Sequence, residues 1–263
     1  MEIKNYNIYG KKPFNVAVIH GGPGAAGEMT PVAKELAMHW GVIEPLQTAA
    51  SIEGQLEELK IVLEDNGDPA IQLIGFSWGA WLSYIFAAKF PKLVKKMILI
   101  GSGSFDEKYA QKIQQTRLNR MSKDDRKKYH ALIEIFNDPS SENKNGALQQ
   151  LGELCEKVDT FEPIDFEITK INFRANIFQS VWQEAAELRR NGKLLELGKK
   201  IQCPVVAIHG DYDPHPSEGV VKPLITVLNS FQFILLKNCG HKPWIERWAR
   251  GEFYRTLKDT LKK

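Results

Sequence analysis

Cysteine is scarce in this chain. Its 263 residues include only Cys155, Cys203 and Cys239. An odd number with no C-x-x-C spacing suggests neither a disulfide framework nor a zinc knuckle. Long apolar runs are missing too, and no stretch approaches the ~20 residues of a membrane span. The opening residues, MEIKNYNIYGKKPF, carry no apolar core of a secretory signal, so a cytoplasmic location is expected. Net charge is small, +3, and well mixed along the chain. That balance argues against a nucleic-acid or anionic-membrane partner. No G-x-x-x-x-G-K occurs and no lysine lies in the glycine-rich HGGPG loop, so no nucleotide phosphate cradle is expected. What remains is a globular protein for a small-molecule substrate, with no cofactor and an open oligomeric state.

The apolar residues that are present fall into short, near-continuous runs. These are Val16–Ile19, Val42–Ile43, Ile71–Ile74, Met97–Ile100, Val205–Ile208 and Phe231–Leu236. Unbroken apolar runs, rather than alternation, mark strands covered on both faces. A further strand is possible over Ile3–Tyr9. Helical patterns lie between them, over Ile52–Glu64, Trp78–Phe90, Ser217–Leu228 and Trp244–Leu261. Alternating strand and helix predicts an α/β fold with a mostly parallel, doubly wound sheet. One region breaks the alternation. Between Gly103 and Lys200 no strand is expected, and four helical blocks cover Asp106–Met121, Ser122–Asn137, Asn145–Val158 and Ile171–Arg190. The reading is therefore a core of residues 1–102 and 201–263 with an inserted all-helical cap over 103–200.

Against this background GFSWG (residues 75–79) stands out, because it joins an apolar strand to a helix. G-x-S-x-G at such a junction demands a sharp, strained turn that lifts the serine hydroxyl clear of the sheet. Ser77 is thus the candidate nucleophile. A serine needs a base, and the base needs a carboxylate to orient it. Of six histidines, His241 in NCGHKPW follows the final strand and precedes the final helix. It is the candidate base. The acid is sought in HGDYDPHP (209–216), with Asp213 chosen and Asp211 the runner-up. His209, Asp211, Asp213 and His215 alternate like metal ligands, but Gly210, Pro214 and Pro216 break the strand that would align them, so no metal site is expected. HGGPG (20–24) follows the first core strand. Pro23 lacks an N–H, which leaves Gly22, then Gly21, to join Trp78 as oxyanion donors. His20 is read as bracing that loop. Phe76, Trp81 and Trp244 are candidate walls of an apolar substrate pocket.

Taken together, HGGPG, GFSWG, HGDYD and the late GH of CGHKPW resemble the α/β-hydrolase superfamily. HGGPG with a tryptophan after the serine is similar to the proline iminopeptidase-like group. The resemblance implies Ser77 as nucleophile, His241 as base, Asp213 as acid and a helical cap. In place of the D-x-R-G-x-G stretch usual in that group stands IEPLQTAAS. Peptidases of that group recognise a free amine with cap carboxylates; Glu153, Glu184 and Glu187 lie in the expected cap, and none is matched to that role. The expectation is a serine hydrolase of small esters or amides. An iminopeptidase-like aminopeptidase, a triad-retaining small-molecule sensor working through a protein partner, and carbon–carbon bond hydrolysis are the alternatives.

Overall fold

A computed structural model of the chain describes residues 5–68, 70–165 and 171–262. The N-terminal half runs β1 (Tyr6–Tyr9), β2 (Phe14–Ile19), β3 (Ala25–Ala26), α1 (Thr30–Leu36), β4 (Gly41–Pro45), α2 (Ile52–Asn66), β5 (Ile71–Phe76), α3 (Trp78–Lys89) and β6 (Val94–Ile100). Four long helices follow: α4 (Glu107–Arg120), α5 (Lys123–Asn137), α6 (Lys144–Asp159) and, after the short β7 (Asn172–Phe173), α7 (Ala175–Arg190). The chain closes with α8 (Lys193–Glu196), β8 (Val205–Gly210), α9 (Glu218–Leu224), β9 (Phe231–Leu236) and α10 (Arg250–Lys262).

The main sheet has the order β1-β4-β2-β5-β6-β8-β9. Only β1 is antiparallel to its neighbour. Side chains alternate between two cores, as a pleated strand requires. Ala17, Ile19, Leu73, Met97 and Leu99 pack with Leu56, Leu59 and Leu63 of α2 and with most of α3. Val16, Val18, Ile74, Ile98 and Ile100 pack with α1 and with Phe253, Leu257 and Leu261 of α10. Both faces are therefore covered, which explains the unbroken apolar runs. From β2 the chain winds outward through α1 to β4, then crosses back to β5 on the other side of β2. The carboxyl ends of β2 and β5 thus flank the topological switch point, where open α/β sheets bind ligands. HGGPG and GFSWG stand at those two ends.

Helices α4–α7 lie in sequence between two adjacent parallel strands, β6 and β8. Met121, Leu132, Phe136, Leu148, Leu151, Leu154 and Val158 form a separate apolar cluster there. Ser122 caps α5 by accepting the Asp125 N–H at 3.0 Å, as its spacing predicts.

Three expectations need correction. The region from Gly103 to Lys200 does hold a strand: β7 pairs antiparallel with β3, beside the HGGPG loop. Two residues are too few for any periodicity to show. The last helix starts at Arg250, not Trp244. Only one 3₁₀ turn forms at Pro243–Ile245, and the buried Glu246 after it accepts N–H groups from Gly240, Phe161 and Glu162. Helix α1 has no counterpart among the expected elements, because seven residues behind a glycine-rich loop give too short a pattern. The expected strand start at Ile3 lies outside the described residues.

Candidate active site

Strand β5 runs straight into α3 through Ser77, whose φ of 51° and ψ of −112° are left-handed for a residue with a side chain. Strain of this kind costs about 1–3 kcal/mol and persists only where the surroundings impose it. The two glycines show how. A Cβ on Gly75 would sit 2.2 Å from the Gly79 carbonyl oxygen, and one on Gly79 would sit 2.3 Å from that of Ile19. Strand, turn and helix are pressed too close for any other residue.

Loops after β8 and β9 carry the other two groups. His241 Nδ1 lies 2.7 Å from Asp213 Oδ2. Asp213 is fully buried, which alone would raise its carboxyl, but the imidazoles of His241, His215 and His209 hold it well below the ordinary carboxylate range. An ionised carboxylate only accepts, so His241 must donate Nδ1–H and keep Nε2 for the cavity. The His241 ring also rests on Phe76, with centroids 4.8 Å apart. Its main-chain N–H donates to the Asp159 carbonyl at 2.9 Å, at the end of α6. The carboxylate of Asp159 is gripped by Arg117 Nε at 2.9 and 3.0 Å and by Nη2 at 2.5 Å. Next in sequence, Lys242 is paired with Glu28 at 3.0 Å and with Glu156. Burial opposes its charge, but those two carboxylates win and raise the ammonium pKa.

The oxyanion candidates meet at the same place. Trp78 is the first residue of α3, so its N–H has no acceptor within the helix. Gly22 adopts φ +39° in the loop after β2. His20, wholly buried, donates Nδ1–H to the Gly21 carbonyl at 2.7 Å. Burial lowers its pKa, so it braces the loop as a neutral ring.

Ser77, His241, Gly22 and Trp78 all line one cavity of about 1380 Å³. Phe76 and Trp244 line it as well, in edge-to-face contact at 4.7 Å. Trp81 does not. It is buried in the core, donates its indole N–H to the Gly103 carbonyl, and stacks on Trp182, which lines the cavity in its place. Asp211 is also displaced from the cluster: it faces Lys237 at 3.7 Å and the Cys239 N–H at 3.3 Å. Of the three glutamates, Glu184 accepts the Ile52 N–H at the start of α2, and Glu187 pairs with Arg190. Glu153 alone lines the cavity.

His215 was not foreseen. Its Nδ1 lies 2.7 Å from Asp213 Oδ1, and its ring stacks on that of His241 at 4.5 Å. Asp213, His215 and His241 offer donor atoms within 4.8 Å of one another, the spacing of a metal cluster. Both Nδ1 atoms, however, are committed as donors to the two carboxylate oxygens.

The sequence matches the family described as alpha/beta hydrolase fold over residues 44–247, and the chain belongs to that family. Solved structures repeat the architecture at low identity. A meta-cleavage product hydrolase from Pseudomonas fluorescens IP01 superposes with a TM-score of 0.64 at 16% identity, covering 98% of this chain and 93% of that one. A serine hydrolase involved in carbazole degradation, CarC, gives 0.62 at 18% identity over 98% and 93% of the two chains. A monoacylglycerol lipase from Paleococcus ferrophilus gives 0.61 at 14% identity, over 97% of each. No curated protein matches the sequence. Among the described residues no helix is long and apolar enough to cross a membrane.

Proposed function

We propose that the protein is a serine hydrolase that cleaves esters or amides through Ser77, His241 and Asp213. One observation carries the reading. A histidine bound to a buried carboxylate at 2.7 Å and a serine on a strained strand–helix turn open onto the same cavity. His241 Nε2 takes the Ser77 proton as Oγ attacks the substrate carbonyl. The N–H groups of Gly22 and Trp78 stabilise the oxyanion. His241 returns the proton to the leaving group, and water then releases the acyl-enzyme by the same route. Asp213 fixes the imidazole tautomer and stabilises its charged form.

The cavity favours a neutral substrate with an apolar acyl part. It exceeds the ~300–1,000 Å³ of ordinary ligand pockets. Ile133, Phe136, Leu148, Leu151, Phe173 and Phe178 line it. Each described cation on its wall, Arg117, Lys157, Arg189 and Lys242, is already paired with a carboxylate. We read residues 103–200, which supply most of that wall, as a cap over the core. The lipase and serine hydrolase among the structural neighbours fit this class of chemistry. Aminopeptidase activity is the second reading, favoured by Glu153 at the cavity wall.

The test is labelling with a fluorophosphonate, followed by p-nitrophenyl esters of rising chain length and a set of aminoacyl arylamides. Labelling at Ser77 with preference for longer esters is expected. Absence of labelling would overturn the hydrolase reading, and preference for the arylamides would select the aminopeptidase.

A further inference from the structure

We infer that His215 is a positioning residue for the acid–base pair: its Nδ1–H holds the Asp213 oxygen that His241 leaves free, and thereby sets the basicity of His241. The inference rests on the assignment of Ser77, His241 and Asp213 as the triad.

A carboxylate can turn about its Cβ–Cγ bond. To present Oδ2 steadily to His241, it needs a hold on Oδ1. Residue 215 supplies two such holds, the backbone N–H at 2.9 Å and the ring Nδ1–H at 2.7 Å. His215 is itself fixed from behind, because His209 Nε2 donates to its carbonyl at 2.8 Å. The two rings on Asp213 are stacked 24° from parallel. The His241 ring thus packs against both His215, at 4.5 Å, and Phe76, at 4.8 Å.

The second imidazole does this without bringing a charge. Burial drives its pKa down to about 4, against the pull of Asp213. At neutral pH it is a neutral donor, so it does not repel the imidazolium formed on His241. Its hydrogen bond draws charge from the carboxylate that supports His241, and so keeps the base less basic than an unshared Asp213 would. The other titratable groups facing the cluster are Arg117 with Asp159, Lys242 with Glu28 and Glu156, and His209, 3.5 Å from Asp213 Oδ2. Arg117 and Lys242 are held in their charged forms by their partners. Neither changes state across the range in which the base titrates.

The experiment follows the rate of fluorophosphonate labelling against pH in the wild type, His215→Phe and His215→Asn. Phenylalanine keeps the stack and loses the donor. Asparagine keeps a donor, since its Nδ2 falls near the place of Nδ1. His215→Phe is expected to label about tenfold more slowly, with the acid limb moved up by about one pH unit. His215→Asn is expected to stay close to wild type. A His215→Phe profile that coincides with wild type overturns the inference, and so does His215→Asn behaving like His215→Phe. Should a variant fail to fold, proton NMR of the wild type decides. Beside the ring N–H donors of His20 and His209, downfield imidazole N–H signals assigned to both His215 and His241 are expected near neutral pH, and absence of the His215 signal overturns the proposal. A wild type that never labels at Ser77 would refute the triad instead, which keeps the two failures apart.

Discussion

Trp81 of α3 and Trp182 of α7 lie parallel, with ring centroids 5.8 Å apart and an interplanar angle of 0°. Phe178 extends the stack at 6.1 Å, and Arg189 covers Trp81 at 5.4 Å. The stack joins the sheet-backing helix to the helices that wall the cavity. An aromatic pair of this kind contributes ~0.5–1.5 kcal/mol beyond its buried area. Trp182→Ala is expected to lower the melting temperature by about 2–4 °C per kcal/mol lost. It should also raise KM for long-chain esters more than for an acetate. Equal effects on both esters would show that Trp182 does not face the substrate.

Ser77→Ala is expected to abolish fluorophosphonate labelling and to cut ester turnover by about 10³-fold or more. Ser77→Gly should be equally inactive yet more stable, by about 1 kcal/mol, because glycine accepts the positive φ without strain. Thermal unfolding of the two variants side by side reads this directly. A glycine variant no more stable than the alanine variant would show that the turn is not strained.

Gly79→Ala should fail differently. Its Cβ would meet the carbonyl oxygens of Ile19 at 2.3 Å and His20 at 2.5 Å, both backbone atoms that cannot step aside. Loss of several °C in melting temperature and loss of labelling together are expected. Wild-type stability in this variant would contradict the close approach of α3 to β2.

Stability should also depend on pH through His215. An ordinary histidine titrates near 6.5, and burial lowers this one to about 4 in the folded protein. Below about pH 6.5 the unfolded chain therefore takes up a proton that the folded chain refuses. The folded state then loses up to ~1.4 kcal/mol per pH unit from this one group, until about pH 4. Asp213 acts in the same direction: its folded pKa is also depressed, so its contribution is complete above the ordinary carboxylate pKa and is lost as pH falls through its depressed folded value. Denaturant unfolding between pH 7 and 4 should show the slope in wild type and a shallower one in His215→Asn. Identical slopes would count against a buried neutral His215.

Strands β2, β4, β5, β6 and β8 were legible because both faces of the sheet are covered there, so each announced itself as an apolar run. Ser77, Asp213 and His241 were legible because each stands at a strand's carboxyl end, in a loop with distinctive residues. His215 was missed for a local reason. On an extended strand it would project parallel to Asp213, but Pro214 and Pro216 bend the loop so that its ring returns to the carboxylate two residues earlier. Arg117 and Asp159 are 42 residues apart, and Glu28 and Lys242 meet from opposite ends of the chain. Pairings of that kind depend on how helices pack over the sheet, and no local pattern records them. Trp81 was misplaced because a tryptophan in a wholly buried helix reads the same whether it faces a pocket or a core.

The hydrogen bond from the His241 main chain to Asp159 divides the three groups unequally. Ser77 and Asp213 follow central strands, whereas His241 is fastened to the last residue of α6, outside the sheet. Elements packed outside a central sheet open at lower free energy than the sheet itself. Mild heating or denaturant should therefore loosen His241 while Ser77 and Asp213 stay in place. Activity would fade before circular dichroism registered any loss of structure, so the protein's working limit is set by one helix end and not by its melting point.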